Sequence, residues 1–141
     1  MFNGFHKFIY LLKKKECFPI LLILILACCL YFYRISFRGL WIDEFISILD
    51  GKKIAFKKGR LLYYALLNPW INISDNEVWL RVPAIIFAVV SVYIIYRLGH
   101  DFFNKKVGLL AAFLLTISPL FINHAQEIRY YTMSVCLGLC G

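Results

Sequence analysis

Eight cations stand between residues 34 and 81: Arg34, Arg38, Lys52, Lys53, Lys57, Lys58, Arg60 and Arg81. Cations gathered between apolar segments either hold an anionic ligand, most simply a phosphate, or rest on anionic lipid headgroups. In the same stretch Asp43 and Glu44 lie side by side among Phe37, Leu40, Trp41, Phe45, Ile48 and Leu49. Such a pair is either a solvated first turn of a helix, favoured by the helix dipole, or part of a site. A second cluster holds His124, Gln126, Glu127, Arg129, Tyr130 and Tyr131. Alone it reads as an interfacial anchor, with the charges solvated and the tyrosines at headgroup level. What points beyond the bland readings is convergence, since acids, cations and aromatics fall on one side of the membrane at both places.

The elements that must position these groups are apolar helices. Hydrophobic residues make up 62% of the 141, where a soluble domain has about half. They fall in long uncharged runs, and a bilayer is spanned by about 20 such residues in a helix. The runs predict spans over about 17–33, 79–98 and 107–126, and a fourth from about 130. Arg81 and Arg97 flank the second run, where snorkelling would lengthen it. The expected fold is all-α, with multi-pass transmembrane helices and interfacial helices in the first outer loop, 34–78. One interfacial helix covers 37–49. The other covers 61–71, with Pro69 breaking or kinking it. Residues 136–141 are apolar and uncapped, so the chain reads as the N-terminal piece of a longer protein.

Orientation follows the short loops. Lys7, Lys13, Lys14 and Lys15, and then Arg97, Lys105 and Lys106, predict a cytoplasmic N-terminus in the plasma membrane, with loop 34–78 outside. The first span is an uncleaved anchor rather than a signal peptide, because it is long and further spans follow. The basic outer loop then breaks the positive-inside expectation. Either the orientation is inverted or the cations serve a purpose.

Several classes drop out. The cysteines have no metal-ligand spacing with histidine. There is no Gly-rich phosphate loop, no Gly-x-Ser-x-Gly elbow and no basic-aromatic surface for nucleic acid. A small transporter or scaffold subunit is one rival; against transport stands the absence of charge inside the spans. An inactive truncated membrane fragment is the other.

The segments Leu40-Trp41-Ile42-Asp43-Glu44 and Leu62-Tyr63-Tyr64-Ala65-Leu66-Leu67-Asn68-Pro69-Trp70 resemble the first outer loop of GT-C membrane glycosyltransferases. The branch is that of protein O-mannosyltransferases and lipid A aminoarabinose transferases. The resemblance continues through Leu80-Arg81-Val82-Pro83-Ala84, Leu98-Gly99, and Lys105 to Ala112. It closes with Ile117-Ser118-Pro119 and Gln126 to Tyr131. Where the family often has prolines before the paired tyrosines, this chain has Arg60 and Leu61, and Asn68 stands where His is common.

The resemblance implies transfer of a sugar from a polyprenyl-phosphate donor to a hydroxyl on a lipid, glycan or protein at the outer face. Asp43 matches the family's catalytic aspartate and would be the general base of an inverting attack. Glu44 would bind acceptor or support Asp43. Arg129 would stabilise the departing lipid phosphate, with Lys57, Lys58 and Arg60 behind it. Glu127, Gln126 and His124 would join the substrate site, and Tyr63 and Tyr64 would line a sugar or lipid groove. Family members differ on metal dependence, which leaves room for a divalent cation, while Asp43 and Glu44 alone are too few ligands to fix one. The family's enzymes are much longer, so this stretch alone is expected to be inactive.

Overall fold

The computed structural model describes residues 18–33, 35–37, 39–52, 61–74 and 76–141. Among them there are helices and no strands. In chain order these are α1 (Phe18–Phe32), a 3-10 turn (Ile35–Phe37), α2 (Ile42–Lys52), α3 (Leu61–Ile71), α4 (Glu77–Phe102), α5 (Lys105–Ile117), α6 (Pro119–Ala125) and α7 (Tyr131–Cys140).

The longest helix, α4, has 26 residues, about 39 Å of rise. Among the described residues it alone is long and apolar enough to cross a bilayer as one straight element. Asn76 starts it, its side chain accepting from the Val78 N–H at 2.9 Å, an N-cap of ordinary kind. α1 and α7 are shorter apolar helices. The run expected to span 107–126 is instead broken: α5 and α6 together pass as a span but bend by 65°. The break falls at Ser118-Pro119. Pro119 has no N–H to continue the α5 ladder and its ring opposes the preceding turn, yet it fits the first position of a new helix.

Two cores result. One joins α1, α4, α5 and α6 around Ala27, Ala88, Val92, Ala112 and Ala125, all fully buried. Small residues let apolar helices approach closely, which is how helices associate in lipid. The closest approach is in the α4–α5 hairpin. A Cβ on Gly108 would lie 2.5 Å from the Tyr96 carbonyl oxygen and 2.8 Å from the His100 nitrogen. Gly108→Ala is therefore expected to destabilise by about 1–3 kcal/mol. Gly138→Ala in α7 meets nothing within 4 Å and should be neutral or stabilising by up to about 1 kcal/mol. Thermal melting in detergent separates the two, and equal melting would show that the hairpin is not pinned at Gly108.

The second core is aromatic and lies beside the first. It packs α2, α3 and the start of α4 against Ile128 and Met133, with Tyr63, Tyr64, Leu67, Ile71 and Leu80 buried. Here α3 runs through Pro69 and ends two residues later. Its end is fastened to α4 by Trp70 and Trp79, whose rings stack 4.4 Å apart. Pro83 cannot donate to the Trp79 carbonyl four residues before it. The Trp70 indole N–H donates there instead, at 2.9 Å. In return the Trp79 indole donates to the Trp70 carbonyl at 3.2 Å, which also accepts from the Ile73 N–H at 3.3 Å. Each tryptophan thus donates to a backbone oxygen of the partner helix, and the Trp79 carbonyl is one that the Pro83 position cannot satisfy.

Candidate active site

Asp43 and Glu44 occupy the first turn of α2, where the dipole favours negative charge. They face opposite ways. Glu44 points inward and is 2% exposed. Its Oε2 accepts from the Trp41 N–H at 3.1 Å, the return half of a capping box. The same oxygen accepts from Arg81 Nη2 at 3.3 Å, and Oε1 accepts from the Ile128 N–H at 2.9 Å. Both carboxylate oxygens are therefore engaged by three separate parts of the chain. Glu44 is thus closed off from the surface on which the Asp43 carboxylate stands.

Arg81 was missed as a site residue. Its guanidinium does not snorkel: the residue is 1% exposed. Nη1 donates to the Ile35 carbonyl at 2.6 Å and Nη2 reaches the Gly39 carbonyl at 3.4 Å. An acid and two carbonyls surround the two terminal nitrogens, and the planar fork suits such a cluster, while Nε is buried with no hydrogen-bond partner among the described residues. The sequence signal was a single arginine ahead of an apolar helix with an unpaired acid upstream.

Asp43 points outward, its side chain 68% exposed. Arg129 comes to it from the turn between α6 and α7. Nη2 donates to Asp43 Oδ2 and Nη1 to the Asp43 main-chain oxygen, each at 3.3 Å. Nη2 also donates to the Tyr131 hydroxyl at 3.2 Å, and the guanidinium lies 5.4 Å from the centre of the Tyr131 ring. Stacking on an aromatic face holds the charge while leaving it accessible. Ser47 fixes the Asp43 carbonyl from the other side, donating to it at 2.9 Å.

The remaining expected site residues separate. His124 and Glu127 form a pair on the same turn, Nδ1 to Oε2 3.4 Å, and the His124 ring lies 4.6 Å from that of Tyr131. They border the Asp43–Arg129 pair. Gln126 does not face it. Its amide donates to the carbonyls of Leu30, Tyr31 and Tyr33 at 3.0–3.3 Å, closing the orphan acceptors at the end of α1. Tyr63 and Tyr64 belong to the aromatic core rather than to an open groove, at 4% and 2% exposed. Tyr63 sets its ring edge against Tyr130 at 6.5 Å, and burial pushes its phenol well above the usual range. Tyr64 reaches Asp50 Oδ2 at 3.3 Å. Lys57, Lys58 and Arg60 lie outside the described residues. Among the described residues no group of three His, Cys, Asp or Glu side chains converges.

An all-α membrane fold with one chemically equipped surface, an exposed carboxylate joined to a guanidinium, suits transfer chemistry on an anionic substrate at the membrane boundary. The family model described as dolichyl-phosphate-mannose-protein mannosyltransferase matches residues 61–138. The chain belongs to that family, which sets it among membrane glycosyltransferases of mannosyltransferase type that use lipid-linked donors. The matched stretch includes Arg81 and Arg129, while Asp43 and Glu44 precede it. Neither a curated protein nor a solved structure matches the chain.

Proposed function

We propose that the chain carries the reacting face of a polyprenyl-phosphate-sugar glycosyltransferase, with Asp43 as general base and Arg129 as the cation for the lipid phosphate. The observation that carries this reading is the 3.3 Å pairing of the exposed Asp43 carboxylate with Arg129. A base must be within hydrogen-bond reach of the proton it takes, and Asp43 alone of the acid pair is open to an incoming hydroxyl. As the hydroxyl oxygen bonds to the anomeric carbon, its proton passes to Asp43 and the bond to the phosphate oxygen breaks. The bonding electrons leave with the lipid phosphate. Arg129 stabilises that growing charge with a two-pronged donor. Attack from the face opposite the phosphate inverts the anomeric centre. The acceptor is a hydroxyl on a protein, lipid or glycan.

Transfer of radiolabelled mannose from its polyprenyl phosphate to hydroxyl acceptors, by membranes holding the full-length protein, is the direct test. Label that never leaves the lipid, with the protein present and folded, rejects the assignment. The reading also needs the α2–α3 side to face outward. An impermeant thiol reagent added to intact cells is expected to label Lys52→Cys and to spare Lys106→Cys. Both positions are exposed, so the reverse pattern would put the acid pair in the cytoplasm.

A further inference from the structure

The site has a conflict built into it. Arg129 is the cation assigned to the donor phosphate, yet its Nη2 is already bonded to Oδ2 of the carboxylate assigned as base, while Nη1 holds the Asp43 main-chain oxygen. The carboxylate oxygen that accepts from the guanidinium is engaged and not open to an incoming hydroxyl. The two jobs compete for one group. The arrangement is not rigid, because the Asp43 side chain is mostly exposed and is held at 3.3 Å rather than at the shorter length of a strong charge-assisted bond. Tyr131 supplies the alternative anchor. Its hydroxyl accepts from Arg129 and its ring lies beside the guanidinium. The cation can therefore turn away from Asp43 without losing its seat.

We infer that the donor phosphate takes Arg129 from Asp43, so that binding of the lipid donor is the event that frees the base. Tyr131 is the positioning residue for this exchange. The inference rests on the roles proposed above and adds an order to them: Asp43 accepts a proton from acceptor only after the phosphate has arrived. An acceptor that enters first meets a carboxylate still paired with Arg129.

A thiol at the base position reports the exchange. In the Asp43→Cys variant, Arg129 favours the thiolate, which is the form that iodoacetamide alkylates. Alkylation is read by mass spectrometry on the peptide carrying residue 43, in vesicles of phosphatidylcholine. Adding a polyprenyl monophosphate is expected to slow alkylation roughly tenfold at fixed pH, the effect of a one-unit rise in thiol pKa. In Asp43→Cys/Arg129→Gln the rate should be low from the start and indifferent to the lipid. With Tyr131→Phe added to Asp43→Cys, the response should shrink while the starting rate changes little. A photoreactive polyprenyl phosphate that crosslinks at the site without changing the alkylation rate overturns the exchange and leaves the phosphate assignment standing. No crosslink and no rate change overturn both. An equal response to inorganic phosphate at the same concentration would tie Arg129 to free phosphate and sink the coupling to donor.

Discussion

Asp43→Asn is expected to lower sugar transfer by roughly 10²- to 10⁴-fold, the usual contribution of a positioned general base. Folding and membrane insertion should stay as they were. The reason lies in where the carboxylate sits. It is mostly exposed and bonded to one side chain, so the amide replaces a group whose removal leaves no buried charge. Surface pairs of this kind contribute about 0–1 kcal/mol to stability. The amide can still accept from Arg129, and the turn it caps is held by Glu44 rather than by Asp43. Donor binding should survive, since Arg129 is then freer to meet phosphate. The measurement is initial transfer rate with crosslinking of the lipid donor in parallel. Turnover near the wild-type rate with Asn at this position would remove Asp43 from the mechanism.

Glu44→Ala and Arg81→Ala should do the opposite and unfold the loop side of the protein. Each leaves one buried charge without its partner, a loss of about 3–5 kcal/mol. The truncation of Glu44 also leaves the N–H groups of Trp41 and Ile128 without their acceptor. Glu44→Gln should cost less, since the amide oxygen can still accept. Protease sensitivity of residues 39–52 in detergent is the readout. The double variant Glu44→Leu/Arg81→Met separates charge from shape. It should resist protease better than either alanine variant, because two apolar side chains replace the pair without stranding a charge. If the single variants melt with the wild type, the three-way junction at Glu44 is not what holds α2 in place.

How much of this was legible in the sequence depended on whether a residue's partner lay nearby. The apolar runs gave the helices, because an uncharged stretch has few other ways to satisfy its backbone in lipid. Local spacing predicted helices over 37–49 and 61–71; the first begins later, at Ile42, and runs on to Lys52, and the second falls at Leu61–Ile71. Asp43 and Glu44 could be placed on one turn, but not on opposite faces of its packing. That outcome depends on Arg81 and Ile128, which lie 37 and 84 residues away. Hydropathy treats arginine as a charge in search of water, so Arg81 read as a snorkelling flank. It is buried because two carbonyls and a carboxylate meet it. Gln126 shows the same blindness, since its target is the end of a helix some 95 residues earlier. The resemblance alone put Tyr63 and Tyr64 in a groove. Their rings instead build the core under α2 and α3. Pro119 was visible, and its effect on the run around it was local enough to have been foreseen.

The Glu44 junction also has a history in time. Its partners emerge from the ribosome in order, and the separation of 37 residues to Arg81 is much shorter than the 86 from Asp43 to Arg129. At ordinary synthesis rates of about 5–20 residues per second, Arg81 is made several seconds before Arg129. The acid that would be hardest to leave unmatched in an apolar setting is thus neutralised first. The reacting pair is completed only when the turn after α6 arrives. A nascent chain passes through a stage with Glu44 already matched to Arg81, while the Ile128 N–H that completes the junction and the guanidinium of Arg129 are still to come.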